Sequence, residues 1–281
     1  MRRSSGVFAI SLVVLALSAC GDPSLTEGIE RRSGALVGWG RAVTPLGGPN
    51  ASETSTVVTN YSGIVHKVVA FNYDDPNHVS YTMNDRVATG GASMTGWAYS
   101  NGAGIDDPFQ PAQHLTPPVG WPILWGDPGL AQASGTGYAY LTTLAVPQSK
   151  MPSGGQIHGS LENYLGGACV APSYNAGVSF SVSAADCLHT AAYDFYDGSD
   201  VAGTAGGGPV FAAFRNVTTG SIDVWGAATS TGASSQLPNP FPGKSMASHP
   251  RPVVAGNTLF IIAAECAAAA GVGQPVTQER S

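Results

Sequence analysis

Between residues 63 and 265 the chain is written in short runs of β-branched, aromatic and small residues, and the gaps between runs carry Gly, Asn, Asp or Pro. GIVHKVVAFN (63–72), VSYTM (79–83), GWAYS (96–100), GYAYLTTLAV (137–146), GPVFAAFRN (208–216) and SIDVWGAATS (221–230) are each of strand length. Runs of this size bounded by turn formers build sheets of short strands and leave little room for helices. Composition agrees, with 37 Gly and 20 Pro against only 11% charged residues. A disordered chain would carry fewer apolar residues and more charge. The fold class expected is all-β. AAECAAAAG (263–271) alone has the alanine content of a helix, and it follows a strand pattern.

The runs recur in a fixed order. WGDPGLA (125–131) leads into the strand at 137–146, and ACVAPS (168–173) follows. YDGSDVAG (196–203) leads into 208–216 and then 221–230, and SHPRPVVAGNTLFIIAAE (248–265) begins another round. Corresponding strand starts fall near residues 65, 127, 194 and 250. A repeat of this length with several short strands per unit argues for β-propeller blades of four strands. Three rounds and the start of a fourth are present, so an incomplete propeller of three to four blades is expected.

The N-terminus reads as an address. Arg2 and Arg3 precede an apolar run from Val7 to Leu17 that is too short for a bilayer-spanning helix, followed by small residues and a Cys. Leu17-Ser18-Ala19-Cys20 looks like a bacterial lipobox, which implies lipidation of Cys20 after removal of residues 1–19. An acyl anchor of this kind holds a protein at a membrane surface without spanning it. The expected location is the bacterial envelope, at the outer membrane or cell surface. Residues 20–55, rich in Gly, Ser, Thr and Pro, read as a tether, 56–270 as the propeller region and 271–281 as a tail. With 12 Lys+Arg against 18 Asp+Glu and no basic patch, nucleic acid is excluded as a partner.

Export permits disulfides. Cys169 and Cys187 would close a modest loop and are the preferred pair, leaving Cys266 odd. No Cys or His spacing matches a zinc motif, H-x-x-x-H does not occur, and G-x-S-x-G is absent.

Ser173-x-Asn175-x-Gly177-x-Ser179-Phe180 fits S-x-D-x-G-x-[ST]-[FW] with Asn in the Asp position. It resembles the Asp-box of the sialidase-like (BNR-repeat) β-propellers. The physical logic is that of a turn fastener: Ser and Asn side chains bond local backbone, Gly supplies positive φ, and the aromatic buries between sheets. Decayed versions keep Ser100, Gly104 and Phe109, and then Ser230, Gly232 and Phe241. In the family the box joins the two outer strands of a blade, away from the ligand face. Six blades are usual there, so a truncated relative or an incomplete arc is implied here.

The resemblance also implies that inner strands start at the ligand-facing mouth. Carried onto this chain, the candidates are Asp127, the group Asp194, Asp197 and Asp200, and His249 with Arg251. Asp127 precedes Pro128 and could equally shape a strand entry by bonding nearby backbone. The Asp triplet around Gly198 is an oxygen-rich loop of a kind that can hold Ca²⁺, or else a solvated acidic turn; no other cofactor is expected. Sialidase chemistry would need several Arg residues on the substrate carboxylate, an acid, and a Tyr nucleophile activated by Glu. Only Arg41, Arg86, Arg215 and Arg251 lie outside the terminal segments, and Glu162 and Glu265 fall on no recognisable motif. The expectation is a lipoprotein whose propeller binds a glycan or protein ligand. An exo-glycosidase acting on sialic-acid-like sugars is the alternative, and a relative without a ligand is the third.

Overall fold

The computed structural model describes residues 11–18, 52–61, 63–72, 79–81, 85–88, 95–100, 109–111, 113–133, 137–153, 156–158, 161–204, 208–227, 234–246, 249–256, 258–265 and 278–280. Among them the regular elements are strands, apart from three single turns of 3₁₀ helix. The chain is all-β.

Four blade-like sheets follow one another along the chain. The first runs Ser52–Tyr61, Ile64–Asn72, Thr95–Tyr99 and Gln113–His114. The second runs Gly129–Ala133, Tyr138–Val146, Gly167–Ser173 and Cys187–Leu188, with Ile123–Leu124 on the far end of its second strand. The third runs Tyr196–Gly203, Val210–Asn216, Ser221–Ala227 and Ser234–Gln236. Each is an antiparallel meander. The fourth has Arg251–Ala255 antiparallel to Thr258–Glu265, then Ser11–Ser18 and Gln278–Arg280. The first strand of each sheet packs against the first strand of the next, so these four line the inside of the arc.

The sheets stack face to face, and alternation along the strands explains how one sheet serves two cores. Phe211 and Ala213 face the fourth sheet, packing with Leu259 and Ile261. Ala212 and Phe214, one residue along, face the second sheet, packing with Leu144 and Val146. Between the first and second sheets lie Val68, Ala70 and Trp97 against Leu130, Leu141 and Ala171.

The 173–180 turn joins the third and fourth strands of the second sheet. Ser173 Oγ accepts from the Gly177 amide at 2.8 Å and donates to Asn175 Oδ1 at 2.9 Å, which also accepts from the Ser179 amide at 2.9 Å. Gly177 has φ +86°, and a Cβ there would strike Val68 of the first sheet. Phe180 is buried edge-to-face on Trp97, with ring centroids 5.3 Å apart. Cys169 and Cys187, directly opposed on adjacent strands, form a disulfide. Phe241 is buried between the third and fourth sheets, and Ser100 is buried against Lys67 of the neighbouring strand. Gly104, Ser230, Gly232, Cys20 and Cys266 lie outside the described residues.

Several boundaries differ from the sequence reading. The first sheet begins at Ser52, inside the expected tether, and the start expected near 65 is that sheet's second strand. Only Ser52–Ser55 of this strand falls in the stretch that reads as tether; farther along, Thr59 is buried while Val58 points outward. VSYTM does not continue the first meander: Val79–Tyr81 joins Asp85–Ala88 and Gln156–His158 in a separate small sheet. The Ala-rich 263–271 stretch is strand through Glu265, because ladder pairing outweighs intrinsic propensity. Ser11–Ser18, the core of the expected leader, lies parallel to Thr258–Glu265. A short apolar run suits a sheet strand as well as it suits a leader.

Candidate functional site

Three strand entries from three sheets meet at one point on the inner side of the arc. Asp127 lies two residues before Gly129–Ala133, Asp197 and Asp200 are the second and fifth residues of Tyr196–Gly203, and His249 and Arg251 open the fourth sheet.

Asp127 sits at φ +41°, between a left-handed Gly126 and Pro128. Asp adopts this region more readily than most residues because its short side chain can bond local backbone. Here the bonds reach into the next sheet: Oδ2 accepts from the Gly198 amide at 2.9 Å, and the main-chain oxygen accepts from Ser199 Oγ. Turn shaping and site building are therefore the same interaction, and the two readings of Asp127 do not exclude each other.

Gly198 lies in a β-bulge between Asp197 and Ser199 with φ +61°. The bulge re-aims the strand so that Asp197 and Asp200 both reach the inner side. Asp197 Oδ2 accepts from Arg215 at 2.9 Å, its partner across the ladder, and Arg215 also donates to the Met246 carbonyl at 3.2 Å. Asp197 Oδ1 lies 3.6 Å from His249 Nε2, and Asp127 Oδ2 lies 3.9 Å from the same nitrogen. The imidazole beside it, then Arg215, holds the Asp197 carboxyl below its ordinary value against the opposing effect of burial. Asp197 and, more weakly, Asp127 raise the His249 imidazole above its ordinary value.

Asp200 is more deeply set, with its side chain 13% exposed, and accepts from Arg251 at 3.0 Å and from the Val201 amide at 2.9 Å. Burial pushes its carboxyl up, and Arg251 opposes that shift. A Cβ on Gly129 would strike Asp200, so the bare backbone there admits the carboxylate.

Five of the six sequence candidates thus share one site. Asp194 does not: its carboxylate accepts from Asn216 at 3.0 Å. It lines a separate polar depression of about 580 Å³ on the third sheet, with Asn216, Asp223, Asn239 and Lys244. The triplet 194, 197 and 200 therefore does not converge as a Ca²⁺ loop. Asp194 lies ahead of the strand that carries the other two.

Arg215 is a member that the sequence left unplaced. The signal available was its antiparallel register, which sets it opposite Asp197. Tyr196, adjacent to Asp197, donates to Asp223 at 3.0 Å, stacks on Phe214 and is fully buried. Burial, reinforced by Asp223, raises its phenol far above the ordinary range. The Tyr196 ring itself belongs to the core between the second and third sheets. Glu265 is committed to Lys244 at 3.0 Å. Arg41 and the side chains of Arg86 and Glu162 lie outside the described residues.

No protein-family model matches the chain, and no curated protein matches its sequence. Solved structures do show likeness. A Hadza microbial sialidase is 12% identical over 66% of this chain and 33% of its own, with a TM-score of 0.41. The exo-β-1,3-galactanase from Phanerochaete chrysosporium, solved with β-1,3-galactotriose, is 11% identical over 66% of this chain and 35% of its own, with a TM-score of 0.36. A polysaccharide lyase is 14% identical over 80% of this chain and 44% of its own, with a TM-score of 0.37. The chain spans between a third and a half of the length of these proteins.

Proposed function

We propose that this is a lipid-anchored protein of the bacterial envelope that binds a glycan at the inner ends of its blades without cleaving it. The observation that supports this reading is the meeting of Asp127, Asp197, Asp200, His249 and Arg251 from three sheets. Carboxylates, an imidazole and a guanidinium held by rigid strand entries offer a sugar fixed hydrogen-bond partners of both kinds. Arg251 is 62% exposed at its side chain and anchored at one end by Asp200, which suits it to an acidic sugar.

Binding is favoured over hydrolysis because the cations of the site are already paired. Arg215 is committed to Asp197 and Met246, and Arg251 to Asp200. The sialidase-type clamp of several free guanidinium groups is not met among the described residues. A glycosidase is the second reading because Asp127 and Asp197 bring two carboxyl groups to one point, and glycosidases act through a carboxyl pair.

A glycan array followed by calorimetry on the hits is the test. Binding should weaken on Arg251→Ala and on Asp127→Ala, while a fluorogenic sialoside should not be turned over. Release of the fluorophore that is abolished by Asp127→Ala would establish the enzyme. An array without hits would remove the glycan reading.

A further inference from the structure

We propose that Asp127, Asp197 and His249 bind one divalent transition-metal ion of the zinc class. The three donor atoms lie within 4.8 Å of one another. They come from three separate strand entries, so packing between sheets fixes their spacing, which a single acidic loop would not do.

The separations suit a shared ion. His249 Nε2 is 3.6 Å from Asp197 Oδ1 and 3.9 Å from Asp127 Oδ2. Donors arranged tetrahedrally around zinc at bonds of about 2.0–2.1 Å stand about 3.4 Å apart. The observed distances from the imidazole need to close by only a few tenths of an ångström.

Donor chemistry selects the ion. Two carboxylates and an imidazole suit zinc and its first-row neighbours, whereas Ca²⁺ takes six to eight oxygens. The other nearby carboxylates are already engaged, Asp200 by Arg251 and Asp194 by Asn216. Two aspartates match the charge of a dication. Their supporting contacts are of the kind that orient metal ligands: Arg215 holds Asp197 Oδ2 and leaves Oδ1 facing the imidazole, and the Gly198 amide holds Asp127. Three protein donors leave a fourth position for an oxygen of water or of a bound hydroxylated ligand. The inference stands on donor geometry alone and does not depend on the glycan reading.

The test uses the full-length protein stripped with a chelator and dialysed, with no glycan present. Calorimetric titration with ZnCl₂ should give one site per chain, and Co²⁺ should produce the visible absorption of a tetrahedral site. His249→Gln and Asp127→Asn should each weaken Zn²⁺ by about tenfold or more, a loss typical of disturbed metal sites. Asp194→Asn should leave binding unchanged. Circular dichroism of the stripped variants separates lost binding from lost folding, and His249→Gln keeps most of the packing of the ring. Wild-type protein that takes up no stoichiometric Zn²⁺, or folded variants that bind it as tightly as wild type, would overturn the proposal.

Discussion

The imidazole of His249 lies against Gly198 so closely that a Cβ on Gly198 would clash with its Cγ and Cδ2. The glycine is also at φ +61°, so one residue supplies both the bulge that aims Asp197 and the space that His249 occupies.

Gly198→Ala should therefore displace His249 as well as strain the backbone. The expected cost is about 2 kcal/mol or more, from positive φ together with overpacking, read by urea denaturation. Gly63→Ala is the control: its φ is +79° but nothing lies within 4 Å of its Cβ, so it should cost only about 1 kcal/mol. Equal costs at the two positions would show that His249 does not need the space.

Phe180 ties the second sheet to the first through Trp97. Phe180→Ala should cost about 3–5 kcal/mol, as for other buried aromatics. Ser173→Ala should cost about 1–2 kcal/mol by removing the acceptor for the Gly177 amide. Both losses belong to stability and should leave ligand affinity unchanged in whatever fraction remains folded. A normally stable Phe180→Ala protein that had lost only binding would move this turn into the site.

Alkaline pH should unfold the protein through Tyr196. Its phenol is raised in the folded state above an ordinary value of 10.0, first by burial and then by Asp223. A folded-state pKa raised in this way contributes stability that is complete below the unfolded value. That stability is lost as pH rises from about 10 toward the folded value. Chemical denaturation between pH 8 and 11 should show the decline, and Tyr196→Phe should flatten it while lowering stability at neutral pH through the lost bond to Asp223. An unchanged slope in Tyr196→Phe would assign the decline to other groups.

Processing at Cys20 would have a structural consequence as well as a cellular one. Removal of residues 1–19 would take away Ser11–Ser18 and leave the edge of Thr258–Glu265 without that partner. Inhibition of lipoprotein signal processing should leave a heavier precursor, and Cys20→Ser should block lipidation. Mass spectrometry of the envelope fraction reads both outcomes. Normal processing and release of Cys20→Ser would refute the anchor.

The sequence by itself determined the class of fold, because strand length, turn residues and the 173–180 fastener are local properties written in consecutive residues. It also placed Asp127, Asp197, His249 and Arg251 at strand entries, since a repeat carries position from one round to the next. Tertiary structure decided what those positions become. Ser52–Ser55 looks like linker until Ser52–Tyr61 pairs with a neighbouring strand, and Ala263–Glu265 looks helical until a ladder captures it. Asp194 parts from Asp197 because it lies ahead of the strand and bonds Asn216, and Arg215 enters because antiparallel register sets it across from Asp197. The Asp127–Asp197–His249 cluster spans more than a hundred residues of chain. Its spacing is fixed by how three sheets stack, and that packing distance has no counterpart in any local stretch of sequence.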